Sequence, residues 1–182
     1  MEPRALLLTG RPGIGKTTVL RRLADFLAGR AVGGFYTGEI RIAGRREGFE
    51  VSTFSGQVAV LAHVKTHSPH RVGRYGVDVA AFERTVLPEL ERRAEVLLID
   101  EIGKMECFSA RFVQAVRGLL TGNAPLVATV ALSGTGFIAE VKRRPDVRLW
   151  QVTTANRDEL PMRLTEQVFA ALAGAAAGSL TA

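Results

Sequence analysis

The stretch Gly10-Arg11-Pro12-Gly13-Ile14-Gly15-Lys16-Thr17 fits the pattern G-x-x-x-x-G-K-[ST], and its flanks constrain the fold as strongly as the pattern does. Before it, Arg4 to Thr9 carries Ala5, Leu6, Leu7 and Leu8 and predicts a short buried strand. After it, Val19, Leu20, Leu23, Phe26 and Leu27 share one face of a helix whose other face bears Arg21, Arg22 and Asp25. Gly10, Gly13 and Gly15 let the backbone turn tightly and bring its N–H groups to phosphate oxygens. Pro12 has no N–H to donate and only shapes the loop. Lys16 adds a mobile positive charge for the β- and γ-phosphates, and the Thr17 hydroxyl is suited to ligate Mg²⁺. The helix N-terminus behind the loop adds partial positive charge.

Further along, runs with strand and helix character alternate. Strands are predicted over 33–42, 47–54 and 57–62, joined by a turn at 43–46 and by Ser55-Gly56 as a β-meander. Residues 63–77, rich in polar, Gly and Pro residues, predict a loop or lid near the site. Asp78 and Ser109 are suited to cap helices, the first interrupted at Pro88 and the second ended by Gly122-Asn123. Val96 to Ile99, Pro125 to Ala131 and Val147 to Val152 read as strands. A short helix over 136–144 and a last one from Asp158 to about Ala173 complete the order. The expectation is a single α/β domain over 1–182, with a mainly parallel central sheet, an antiparallel meander and helices on both faces. Ligands in such sheets bind beyond the carboxyl ends of the strands. Residues 10–18, 37–41, 63–77, 100–106, 131–136 and 153–158 should therefore converge on one edge.

Val96-Leu97-Leu98-Ile99-Asp100-Glu101 supplies what the glycine loop needs, an apolar strand that ends in acid. Asp100 is placed to hold Mg²⁺ through water. Glu101 is suited to orient and deprotonate an attacking water, which leans the chemistry towards hydrolysis. Catalysis then falls to Lys16, Asp100 and Glu101, and metal binding to Thr17 and Asp100. A cation is also wanted against charge developing on the γ-phosphate, and Arg71, Arg74, Arg143, Arg144 and Arg157 are the candidates. A nucleoside or small-molecule kinase is the alternative enzyme, with 63–77 and Arg143-Arg144 at an acceptor site.

A net charge of +6 invites a nucleic-acid reading, and a nucleotide-dependent RNA-binding switch is the alternative outside catalysis. The basic residues are scattered in pairs with acids among them, which argues against a nucleic-acid surface. No apolar run approaches the length needed to cross a bilayer, and no signal peptide is evident. The single cysteine, Cys107, excludes an internal disulfide and fits a reducing cytoplasm, where it serves as a packing residue. His63, His67 and His70 have spacings that would suit a metal-binding helix, but Ser68-Pro69 argues against a helix there. Trp150 is expected in the core. A monomer is the favoured state.

The chain resembles the small THEP-type nucleoside-triphosphatases. The carrying segments are GRPGIGKTT at 10–18, GGFYTGEIR at 33–41, RVGRYGVDVAAFE at 71–83, LLIDEIGKME at 97–106 and TANRDELP at 154–161. The run from Asp100 to Glu106 is the most distinctive. The resemblance implies a RecA-like P-loop fold and Mg²⁺-dependent hydrolysis of ATP, GTP and other triphosphates with loose base selectivity. It carries over Gly10, Arg11, Pro12, Gly13, Ile14, Gly15, Lys16, Thr17 and Thr18 as the nucleotide-binding loop, and Asp100 and Glu101 as the metal and water residues. It also puts Asn156 and Arg157 near the base or ribose, although Asn156 is equally suited to cap the last helix.

Overall fold

The computed structural model describes residues 5–179. The apolar run before the glycine loop is strand β1 (Ala5–Thr9), buried throughout, and the helix after it is α1 (Lys16–Phe26). Arg4, read as the start of that strand, lies outside the described residues. The meander is β2 (Val32–Ile42), β3 (Arg45–Thr53) and β4 (Val58–His63). Ala43 and Gly44 both have positive φ, which makes the first hairpin turn two residues long and tighter than the four expected.

The segment expected to be a loop over 63–77 ends instead in a small hairpin, β5 (Arg71–Val72) and β6 (Tyr75–Val77). Gly73, at φ 56°, makes its tip, and β6 pairs with the end of β4. The two strands are too short for a period to be legible. Helix α2 (Val79–Glu91) begins where Asp78 accepts a bond from the Ala81 N–H. Pro88 does not stop it early: Leu87 and Leu90 are buried on its inner face and hold the last turn against the core.

Strand β7 (Val96–Ile102) runs three residues past the expected apolar stretch and so includes Asp100 and Glu101. A 3-10 turn (Glu106–Phe108) follows, then α3 (Ala110–Thr121), capped by Ser109 through the Phe112 N–H. The remaining elements are β8 (Leu126–Val130), α4 (Phe137–Lys142), β9 (Val147–Gln151) and α5 (Leu160–Ser179). That last helix outruns its expected end at Ala173. Trp150, expected in the core, is half-buried on edge strand β9 with the Arg163 guanidinium 4.8 Å from its ring centroid.

All strands form one sheet in the order β5-β6-β4-β3-β2-β7-β8-β1-β9. From β2 to β9 the neighbours are parallel, and from β5 to β2 they are antiparallel. Strand β8 stands between the loop-bearing β1 and the acid-bearing β7, the RecA-like arrangement of a P-loop fold. The pleat separates two cores. Leu6, Leu8, Val96, Leu98 and Val127 face α1 and α5, while Ala5, Leu7, Leu97, Ile99 and Ala128 face α2, α3 and α4. Among the described residues no helix is long and apolar enough to cross a membrane.

Gly34 sets how closely β2 can lie against β7. Its φ is 112°, and a Cβ there would stand 1.8 Å from the Leu98 carbonyl oxygen. Only glycine combines that conformation with that approach. Gly34→Ala is therefore expected to destabilise the fold by about 3 kcal/mol or more, measured by denaturant unfolding.

Candidate active site

Beyond the carboxyl ends of β1, β8, β7 and β2, the glycine loop folds over the start of α1. Gly13 and Gly15 occupy positive φ, at 75° and 111°, which the turn requires and other residues resist. Gly10 is needed for space: a Cβ there would meet the Val152 carbonyl oxygen at 2.9 Å. Arg11, Pro12 and Gly13 stand exposed at the tip, and the Ile14 N–H closes the turn onto the Arg11 carbonyl at 3.2 Å. Lys16 Nζ donates back to the Gly10 carbonyl at 3.2 Å, so its ammonium lies across the loop's concave side. Thr17 and Thr18 follow in the first turn of α1.

Asp100 is the centre to which the loop connects. It is 1% exposed, and no lysine or arginine is among its hydrogen-bond donors. Thr17 Oγ1 donates to its Oδ2 at 2.7 Å, and Thr37 Oγ1 on β2 donates to the same oxygen at 3.2 Å. The Thr37 N–H approaches that oxygen at 3.5 Å. Thr129 Oγ1 on β8 donates to Oδ1 at 2.7 Å. A buried carboxylate is tolerated only when its lone pairs are engaged in this way. Thr37 falls in a segment expected at this edge. Thr129, missed by the sequence reading, was signalled only by a hydroxyl inside an apolar strand.

Glu101 follows through a cis peptide bond and is half-buried. Burial raises its pKa above the ordinary carboxyl range, Lys16 opposes that rise and Asp100 adds to it. Glu101 therefore shares one electrostatic environment with the lysine of the loop and the acid of β7. The structure thus brings together Lys16, Thr17, Asp100 and Glu101, the residues expected to carry metal binding and catalysis. Glu106, which sequence reading left without a role, lies just behind: it is 5% exposed and accepts the Gly103 N–H at 3.1 Å.

The segment after β9 flanks the loop from the other side. Asn156 does not cap α5 with its side chain. Its Oδ1 accepts the Thr153 N–H at 2.9 Å and its Nδ2 donates to the Gln151 carbonyl at 2.9 Å, which braces the turn. Of the five candidate arginines, Arg157 is the one that reaches the loop. Its Nη1 lies 3.4 Å from the Ile14 carbonyl, and its Cδ packs over Gly15. Gly15, Thr18, Val19, Arg22, Arg157 and Asp158 line a pocket of about 230 Å³ there.

The other candidates lie elsewhere. Arg71 donates to the Arg74 carbonyl within the β5–β6 hairpin, and Arg74 donates to the Arg46 carbonyl. Arg144 is paired with Asp146, and with Arg143 it borders a wide pocket at the start of α4. Arg71 and Gly73 do line a pocket of about 430 Å³ with Lys104, Cys107 and Thr135, so the hairpin reaches the run that follows Glu101. The three histidines do not converge as a metal site. His63 Nδ1 accepts the Lys65 N–H, and the His70 ring packs on Phe108. Cys107 is half-buried, with its thiol pushed up to about 12 by burial, as suits a packing residue.

Comparison with known proteins agrees with this geometry. A family model described as NTPase matches residues 5–165. Nucleoside-triphosphatase THEP1 of Thermotoga sp. (strain RQ2) is 39% identical over 85% of this chain and 90% of its own. The human cancer-related nucleoside-triphosphatase is 41% identical over 86% of this chain and 92% of its own. The crystal structure of THEP1 from the hyperthermophile Aquifex aeolicus superposes with a TM-score of 0.83 at 34% identity, covering 90% of this chain and 98% of that one. A glycine loop tied through Thr17 to a buried aspartate one strand beyond its neighbour, with matches of this extent, places the chain in the THEP1-type NTPase family of hydrolases.

Proposed function

We propose that this chain, as a single domain, hydrolyses nucleoside 5′-triphosphates, ATP and GTP among them, to diphosphate and phosphate with Mg²⁺ and loose selectivity for the base. The observation that carries the reading is the meeting of Lys16, Thr17, Asp100 and Glu101 at one end of the sheet. Residues 10–18 supply backbone N–H groups and the helix end for the phosphate chain. Lys16 swings from the Gly10 carbonyl onto the β- and γ-phosphate oxygens. Arg157 and Asn156 border the side where ribose and base emerge, Arg157 by contact and Asn156 by fixing the turn that carries it.

The donor set around Asp100 is all hard oxygen, two of it from Thr17 and Asp100 themselves, which fits Mg²⁺ rather than a softer ion. Bound there, the ion would neutralise charge on the β- and γ-phosphates. Glu101 holds the attacking water. As the water oxygen bonds to the γ-phosphorus, Glu101 takes its proton and the bond to the β-phosphate oxygen breaks, so that diphosphate leaves. The raised proton affinity that burial gives Glu101 suits this role.

Two variants separate binding from chemistry. Lys16→Ala is expected to lower kcat/KM for ATP by about 10²-fold or more, read as phosphate release. Glu101→Gln keeps the shape and loses the base. It should bind a triphosphate within about threefold of the parent while kcat falls about 10²- to 10⁴-fold. Turnover at the parent rate in Glu101→Gln would remove the water-handling role.

A further inference from the structure

Three carboxylates are buried among the described residues, and they are held differently. Glu89 has Arg92 at 3.1 Å, and Asp100 has its three threonine hydroxyls. Glu106 is held by backbone N–H groups alone, that of Gly103 and its own. An ionised carboxylate so placed is costly, and the group responds by keeping its proton. Burial, with Glu101 and Asp100 adding to it, pushes its pKa up to about 8.

The place of this carboxyl gives it a task. Glu101, near the end of β7, and Glu106, at the start of the 3-10 turn, flank Gly103, and both side chains approach it. A Cβ on Gly103 would stand 2.8 Å from Glu106 Oε2 and 3.3 Å from Glu101 Oε1. Gly103 does not have positive φ. Glycine leaves the space in which the two carboxyl groups close over this position, and a side chain there would have to displace them. The Gly103 N–H to Glu106 bond then locks the turn directly behind Glu101.

We propose that Glu106 is a positioning residue for hydrolysis: its buried carboxyl, tied to the Gly103 N–H, fixes the turn that aims Glu101 at the attacking water. This rests on the assignment of water handling to Glu101. Burial and the neighbouring carboxylates favour the protonated form of Glu106, so that Glu101 does not share its turn with a second buried charge. An ionised Glu106 would compete with Glu101 for the proton.

Steady-state phosphate release and binding of a non-hydrolysable ATP analogue, measured on four variants, test this. Glu106→Ala should lose about 10- to 100-fold in kcat with analogue affinity within about threefold of the parent. Glu106→Gln, uncharged and able to accept the Gly103 N–H, should recover most of that loss. Gly103→Ala should lose kcat in the same way, since its Cβ displaces both side chains. Glu101→Gln is the fourth. If it turns over normally, the reading of Glu101 fails and this inference with it. If it is inactive while Glu106→Ala and Gly103→Ala keep the parent kcat, the role of Glu106 alone is overturned. Equal loss in Glu106→Ala and Glu106→Gln would equally overturn the neutral-carboxyl device.

Thermal unfolding without nucleotide gives a readout independent of turnover. The charged groups that act on Glu106 are Asp100 and Glu101 on β7; Lys104 lies in its own turn, and the helices α2 and α3 packed against that turn carry the Glu83–Arg111 pair, with Glu83 bonded to Ser109. A carboxyl with a raised folded pKa contributes fully below its ordinary 4.5 and loses that contribution as pH rises through about 8. Between pH 5 and 8 the parent Tm should therefore fall relative to that of Glu106→Gln. Parallel Tm profiles would contradict a protonated Glu106.

Discussion

A buried aspartate that accepts no bond from a lysine or arginine among the described residues needs donors from somewhere, and here they come from one helix start and two strands. Thr17 reaches Asp100 from the glycine loop, Thr37 from β2 and Thr129 from β8. Each hydroxyl bond to a charged group contributes on the order of 1.5–3 kcal/mol, and leaving the carboxylate unpaired would cost more. The bonds therefore do two things at once. They make a buried charge tolerable, and they fix the distance between the loop and the strand on which Glu101 stands. The rest of the site inherits its geometry from that one carboxylate.

The sheet order is what makes those bonds possible. With β8 between β1 and β7, the loop lies one strand away from the acid, and Thr129 fills the intervening position. Gly34 lets β2 press against β7 closely enough for Thr37 to arrive from the other side. Two hydrophobic layers, one under α1 and α5 and one under α2, α3 and α4, hold this strip of sheet between them. The hairpin β5–β6 extends the antiparallel half and brings Arg71 and Gly73 over Lys104 and Cys107, beside the turn that follows Glu101.

Much of this was legible in the sequence, for identifiable reasons. The glycine loop, its strand and its helix are local signals, and both the positive φ angles and the apolar faces follow from residue type. Asp100 and Glu101 were legible because an apolar run ends in acid. The caps at Asp78 and Ser109 were legible because capping is chemistry between near neighbours. What was not legible depends on distant contacts. Thr129 matters only because β8 lies beside β7. The hairpin at 71–77 is too short to show a period, and it forms because β4 offers an edge to pair with. Pro88 suggested an interruption, and buried leucines on either side of it outweighed the lost bond. Glu106 had no role legible in the sequence, since nothing local tells that its side chain folds inward over Gly103.

In the proposed mechanism Asp100 links the loop, the metal and the attacking water. Isothermal titration of a non-hydrolysable ATP analogue into the parent and into Asp100→Asn, each with and without Mg²⁺, tests that link without relying on turnover. In the parent, Mg²⁺ should tighten binding about tenfold or more. Asp100→Asn should bind the metal-free analogue as the parent does and lose the tightening. An Asp100→Asn variant that keeps the full Mg²⁺ effect would contradict the account.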